Sequence, residues 1–314
     1  MNDITIANTM VAKHQNPFIA NIYKYRYLYL LLLPGLVWVI VFKYAPMYGI
    51  IIAFKDYNIF KGINDSPWVG MANFNRFFQD NYFGPLMRNT LLISLYKIMF
   101  GFPLPIIIAL MLNEVRNVSF KRTVQTIIYF PHFLSWVIVG GLIVTLLSPD
   151  GLINGLITMI GGESTTWMAR PEYFRTILVL SDIWKESGWG TVIYMAALAG
   201  IDPQLYEAAV IDGASRLQRM RHITLPSLMP TIIIMLILRM GSIMDAGFEQ
   251  VFLLLNPSVM QVGDIIDTFV YRVGLEQQQY SFSTAVGLFK SVINIIFVVG
   301  TNYIAKKAGQ ESLF

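Results

Sequence analysis

Six apolar stretches alternate with polar ones along the 314-residue chain, at residues 27–44, 89–112, 123–147, 174–199, 227–248 and 282–304. Each is close to the ~20 mostly apolar residues that an α-helix needs to cross a bilayer. The pattern predicts an all-α polytopic membrane protein with six transmembrane helices. The first stretch continues as APMYGIIIAF, and the pattern leaves open whether residues 46–54 lie in the membrane or on it.

Two kinds of connector alternate between these stretches. The short, basic kind comprises residues 1–26 with Lys13, Lys24 and Arg26, the stretch NEVRNVSFKR, a polar loop at 201–226, and the end with Lys306 and Lys307. The longer kind carries FKDYNIFKGINDSPWVGMANFNRFFQD, SPDGLINGLITMIGGESTTWMARPE and residues 250–280. The positive-inside rule puts the short basic set, with both termini, in the cytoplasm. Lys55, Lys61, Arg76 and Arg88 soften that bias, but long loops weigh less under the rule. The expected division is a cytoplasmic tail 1–26, a membrane domain 27–306 containing the loop 201–226, and a cytoplasmic tail 307–314. Residues 1–26 lack the small-residue cleavage site of a secretory signal, so the first apolar run reads as a retained anchor.

Composition agrees with a bilayer as the solvent. Charged residues make up 13% of the chain, against about 25% in soluble domains, and mean hydropathy is +0.55. The absence of cysteine excludes disulfides and thiolate metal sites. The net charge of +4 reads as a topology signal, and no aromatic-interleaved basic patch suggests nucleic acid. His14, His132 and His222 lie in three regions without metal-ligand spacing. Neither a G-x-x-x-x-G-K-[S/T] loop nor H-E-x-x-H nor G-x-S-x-G occurs. No catalytic residue, metal site or cofactor is expected in this chain.

The loop 201–226 contains EAAVIDGASRLQRMRHITLP, a polar stretch between two very apolar ones. Asp202 and Pro203 read as N-cap and first helical residue. About three helical turns follow, with Leu205, Ala208, Ala209 and Asp212 on one side and Glu207, Val210, Ile211 and Ala214 on another. Gly213 permits a sharp turn or a close backbone approach. Arg216, Arg219, Arg221 and His222 mark the membrane edge, and Pro226 opens the next span. Spacing alone fits an ordinary cytoplasmic loop as well as it fits a knob for a soluble partner.

The same stretch closely resembles the E-A-A…D-G-A…I-x-L-P signature of bacterial ABC importer permeases, with Glu207, Ala208, Ala209, Asp212, Gly213, Ala214, Ile223, Leu225 and Pro226 in register. YFPHFLSWVIVGGLI, SPDGLINGLI and WKESGWGTVIYMAALAGIDPQLY are similar to the carbohydrate-uptake class. YLLLLPGLVWVIVFKYAPMYGIIIAFKDYN and SPWVGMANFNRFF look like its polysaccharide and complex-oligosaccharide branch. The chain departs from the family at RMR, where an aromatic residue often stands near Met220 and Arg221. Methionine can fill the same apolar socket, though the preferred ATPase can differ.

The resemblance implies a type I ABC importer permease fold in a bacterial plasma membrane. The helix around Glu207 would be a coupling helix that docks on a cytoplasmic ABC ATPase, through Glu207, Ala208, Ala209, Asp212, Gly213, Ala214, Met220 and Pro226. Two ATPase copies, which bind the ATP and Mg, would close and flip the pore. A second, homologous permease would supply the other half of the pore. An extracellular solute-binding protein would deliver an oligosaccharide.

Polar residues within spans tend to face a cavity or a partner. Span four carries Asp182, Lys185, Glu186, Ser187 and Trp189, span five Arg239 and Asp245, and span six Lys290 and Asn294. At ~1.5 Å per residue, residues 187–189 fall near mid-bilayer. Ser187, Trp189, Arg239 and Asn294 are the candidates for contacting sugar rings in the substrate pathway. Against that stands a structural reading in which Lys185 with Glu186, and Arg239 with Asp245, form internal ion pairs. Arg239 and Lys290, if uncompensated, would favour an acidic sugar. His132 and Trp136 are expected to pack and hydrogen-bond, and Trp68, Asn73 and Phe74 to anchor an outer loop at the interface. The alternatives are a permease for peptides or another solute, an intramembrane enzyme built on Asp182 and Asp245, and a membrane scaffold.

Overall fold

A computed structural model describes residue 21 and residues 24–309, so most of the expected tails 1–26 and 307–314 lies outside the described residues. Every regular element among the described residues is helical. The chain divides into two units, Met1–Ile51 and Ile52–Phe314.

Helix α1 runs over Arg26–Phe54, with residues 26–48 exposed. The backbone stays helical through residues 46–54, wound tightly as a 3₁₀-helix, so this stretch continues the span. In the second unit, α2 covers Phe83–Glu114 with a wide π-turn at Lys97–Gly101, just ahead of Pro103 and Pro105. Such turns absorb the hydrogen bonds that prolines cannot make.

The predicted third span is broken. It consists of α3 (Val118–Phe133) and α4 (Trp136–Leu146), which meet at 99°. The FPHF segment is 3₁₀. Ser135 then starts a new helix, its Oγ accepting from the Ile138 N–H at 3.3 Å. After the short helix α5 (Leu152–Met159), α6 runs unbroken over Pro171–Ala199. At 29 residues α6 is long enough to span, but with Glu172, Arg175, Asp182, Lys185 and Glu186 it is not among the helices apolar enough to cross a membrane by composition alone. It is tolerated because it packs centrally against α2 and α3. A Cβ at Gly188 would lie 1.8 Å from the Ile128 carbonyl oxygen, so the backbones of α6 and α3 touch there.

Helix α7 (Pro203–Ile211) occupies the polar loop, and α8 runs over Arg216–Met240. The fifth span is thus shifted from the predicted 227–248. A capping box starts it early: Ser215 N–H donates to Gln218 Oε1 at 2.7 Å while Gln218 N–H donates to Ser215 Oγ at 3.4 Å. At Gly241 the chain leaves the helix and turns through Gly247 (φ +92°) into α9 (Phe248–Leu254). After α10 (Ile266–Tyr271), α11 (Tyr280–Lys307) forms the last span.

Phe77, Leu86, Met244, Ile266 and Val286 form the largest buried cluster, with Phe77 edge-on to Phe83 at 4.9 Å. Phe74 is buried against Ala53 and Ala285, and Asn73 Nδ2 donates to the Ala53 carbonyl at 2.9 Å. Phe74 therefore belongs to the core of the second unit rather than to an interfacial anchor, and half-buried Asn73 ties the same short helix, Ala72–Gln79, down where it folds back onto α11. Trp68 remains exposed, with Lys55 Nζ 4.9 Å above its ring. A buried polar knot closes the same end of the unit. Asp264 accepts from Tyr82 Oη at 2.7 Å, Thr268 Oγ1 at 2.7 Å and Arg272 Nη2 at 2.5 Å. Burial, reinforced by the Asp264 carboxylate, holds the Tyr82 hydroxyl above the usual phenol range.

Candidate functional site: a polar loop and an intramembrane cavity

The loop is built by local rules. Asp202 caps α7, its Oδ1 accepting from Gln204 N–H at 2.9 Å, with Pro203 in the first turn. At the other end Gly213 N–H donates to Val210 O at 3.1 Å and Ala214 N–H to Ala209 O at 2.8 Å. Those two bonds are a Schellman motif, and Gly213 supplies its left-handed residue with φ +75°. Nothing lies within 4 Å of a Cβ placed there. The glycine serves the turn, not a close approach.

Glu207, Ala208, Asp212 and Gly213 are exposed, while Ala209, Ala214 and Met220 are half-buried. Tyr206 Oη lies 2.9 Å from Thr224 Oγ1, tying α7 to the foot of α8. Pro226 does not open the span. It sits inside α8 after a π-turn over Met220–Thr224, in which Leu225 N–H reaches back to Met220 O. The loop also presents apolar residues that the sequence reading left without a role. Ile211 is 86% exposed and Leu217 72%. Two large apolar side chains in a polar loop were the available signal.

Between α2, α6 and α8 lies a cavity of about 490 Å³ lined by Lys97, Asp182, Glu186, Ser187, Trp189 and Arg239, among others. Three of the four residues predicted to face cargo meet there. The fourth, Asn294, does not: its Oδ1 accepts from Met244 N–H at 3.0 Å and satisfies the broken end of α8.

The charges in this region sort into pairs. Lys97 was overlooked in the sequence, yet its buried Nζ lies 2.9 Å from Asp182 Oδ1, 2.9 Å from Ala246 O and 2.5 Å from Gln250 Oε1. One lysine on α2 thus holds α6 and the loop entering α9. Lys185 pairs with Glu186 at 3.2 Å, as the structural reading expected, and also donates to His132 O at 2.8 Å. His132 Nδ1 lies 2.8 Å from Glu186 Oε2. A carboxylate only accepts, which assigns the proton to Nδ1. The imidazole so fixed stacks on Trp189, itself one of the cavity-lining residues.

Arg239 is the exception. The expected Arg239–Asp245 pair is absent, because Asp245 on the loop after α8 pairs with Lys290 of α11 instead. Lys290 also lies 2.5 Å from Asp267, so it is not an uncompensated cation. Among the described residues no carboxylate lies within ion-pair reach of Arg239. Asp182 and Asp245 pair with different lysines, Lys97 and Lys290.

A helical membrane core with a polar loop at one end and a charged cavity at its middle is the arrangement of a transport subunit. The family described as binding-protein-dependent transport system inner membrane component matches residues 101–310, and the chain belongs to it. Protein LplB of Bacillus subtilis (strain 168) is 51% identical over 290 residues, covering 92% of this chain and 91% of that protein. The polygalacturonan/rhamnogalacturonan transport system permease protein YteP of the same organism is 50% identical, covering 92% and 90%. The crystal structure of a bacterial ABC transporter involved in the import of the acidic polysaccharide alginate superposes with a TM-score of 0.86. It has 40% identity and covers 93% of this chain and 99% of that one. The chain is a multi-pass inner-membrane subunit with the type I importer permease fold.

Proposed function

We propose that this chain forms one half of the translocation pathway of an ATP-driven importer for oligosaccharides that carry uronate carboxylates. The observation that carries the reading is Arg239, a guanidinium left without a carboxylate in a cavity where its neighbours are paired. A planar fork of N–H donors suits bidentate recognition of a sugar carboxylate. Trp189 beside it offers an apolar face on which a sugar ring can lie, and Ser187 a hydroxyl for hydrogen bonding. The names of YteP and of the alginate importer support an acidic saccharide as cargo.

The loop 201–226 is the coupling element of this reading. Its α7 docks on an ABC ATPase, with Ile211 and Leu217 as the apolar part of the contact and Glu207 as its acidic part. Two ATPase copies hold ATP and Mg and supply the closing motion. A second, homologous permease completes the pore, and an extracellular solute-binding protein presents the cargo. The loop and both tails lie on the cytoplasmic side, where the short basic connectors gather.

Uptake of a uronate oligosaccharide and of a neutral one of equal length, by the complete transporter in vesicles, tests the cargo assignment. A hydrogen bond to a charged group is worth about 1.5–3 kcal/mol, or roughly a 10- to 150-fold change. Arg239→Gln is expected to lower uptake of the acidic cargo by at least about tenfold on that scale and to spare the neutral one. Equal losses for both would reject it.

A further inference from the structure

Between α4 and α6 the chain folds into a compact loop whose helix, α5, shows an apolar face that no other part of the second unit covers. Leu152, Leu156, Met159 and Ile160 fall on one side at helical spacing. All four are exposed, Met159 to 83% and Ile160 to 85%. Single apolar residues at a surface need no explanation, but a contiguous face does.

The opposite face is closed and rigid. Asn154 is 1% exposed. Its Nδ2 donates to Ser148 O at 2.8 Å and to Thr165 O at 2.9 Å, while its Oδ1 accepts from Thr165 N–H and Trp167 Nε1, both at 3.0 Å. Each end of α5 is folded tightly. A Cβ at Gly151 would lie 2.5 Å from the Leu146 and Thr145 carbonyl oxygens, and one at Gly162 would lie 2.6 Å from Ile157 Cγ2. The direction of the apolar face is therefore set by the fold.

Continuity says what covers it. Val137, Ile138, Leu142, Val144 and Leu146 of α4 are exposed along a membrane helix, and the turn at Gly151 brings the start of α5 back against the Leu146 backbone at the end of α4. Trp167 and Tyr173, 4.9 Å apart, stand at the foot of α6 where aromatic residues favour the interface. No lysine or arginine occurs in residues 147–169, whose only charges are Asp150 and Glu163. Attraction to anionic headgroups is thus not the source of any binding. The solute-binding protein comes and goes and would leave this face in water between encounters, whereas acyl chains cover it at all times.

We infer that α5 is an interfacial helix, lying in the membrane surface opposite the 201–226 loop with Leu152, Leu156, Met159 and Ile160 inserted among lipid acyl chains. An amphipathic helix of this kind binds by its buried apolar area. It ties the connection between the bent span and α6 to the bilayer.

The chain has no cysteine, so single cysteines at Leu156, Ile160 and, on the polar side, Thr158 can each carry a nitroxide. The complete transporter, assembled in phosphatidylcholine vesicles, is examined for collisions with oxygen and with a water-soluble nickel chelate. Labels at 156 and 160 are expected to meet oxygen more than nickel, and the label at 158 the reverse, with no change on adding the solute-binding protein. Nickel access at all three positions would overturn the inference by placing the face in water. Shielding of 156 and 160 from both reagents, or only after the binding protein is added, would overturn it by assigning the face to protein.

Discussion

The indole of Trp189 lies flat on the imidazole of His132, with ring centroids 4.6 Å apart and planes within 2° of parallel. His132 is held in turn by Glu186, and Lys185 holds its carbonyl. The cavity wall is therefore a chain of supports, with a flat aromatic surface at its end.

Removing that surface should weaken sugar binding whatever the charge of the sugar. Aromatic packing is worth about 0.5–1.5 kcal/mol beyond area burial, which corresponds to roughly a two- to twelvefold change. Trp189→Leu is expected to raise KM for acidic and neutral oligosaccharides alike by an amount of that order. Uptake kinetics with both cargo types check it, and a loss confined to the acidic cargo would assign Trp189 to the Arg239 contact instead.

Lys97 should matter to the fold more than to cargo. Its ammonium satisfies Asp182, Ala246 O and Gln250 together, and stripping one partner from a buried pair costs about 3–5 kcal/mol. Lys97→Met is expected to lower the unfolding temperature of the purified complex sharply. Lys97→Met combined with Asp182→Leu should recover part of that loss, because no lone carboxylate remains. Thermal unfolding of the three proteins decides the matter, and equal stability of wild type and Lys97→Met would show that the strut carries no load.

Gly188 is where α6 and α3 meet. A methyl group there collides with the Ile128 carbonyl, and since both sides are backbone the helices must part. Gly188→Ala is expected to cost at least about 1–3 kcal/mol, the usual range for overpacking. Gly287→Ala in α11, where a Cβ meets nothing within 4 Å, should be neutral or stabilising by about 0.5–1 kcal/mol. Expression and melting of the two variants make the comparison, and similar behaviour of both would place the contact elsewhere.

What could be read from the sequence follows the range of the interactions involved. The loop was legible because its parts are local: Asp202 with Pro203 starts α7, and Gly213 ends it. The apolar runs located the long helices for the same reason, though not all of their ends. Pro131 and Ser135 already marked the break in the third span, but the strong apolar run around them hid it. Gly241 likewise ended α8 inside a stretch that still reads as apolar. The partners of charges were not legible. Lys97 meets Asp182 and Gln250 from distant parts of the chain, and Lys290 takes Asp245 away from Arg239. Sequence spacing within one helix says nothing about which residue another helix brings near. For that reason Arg239 emerged as the unpaired cation, and Asn294 moved from cargo contact to helix end.

The central claim is that the 201–226 loop is the surface through which an ATPase drives this chain. Ile211→Cys places a single thiol on the most exposed apolar position of that loop in a chain with no other cysteine. The rate at which a water-soluble maleimide modifies it is measured in the isolated permease and in the complex with its ATPase subunits. Fast modification that is blocked when the ATPase binds is the predicted result. Equally fast modification in a complex shown to retain its ATPase would contradict the account, and the loop would have to be assigned another role.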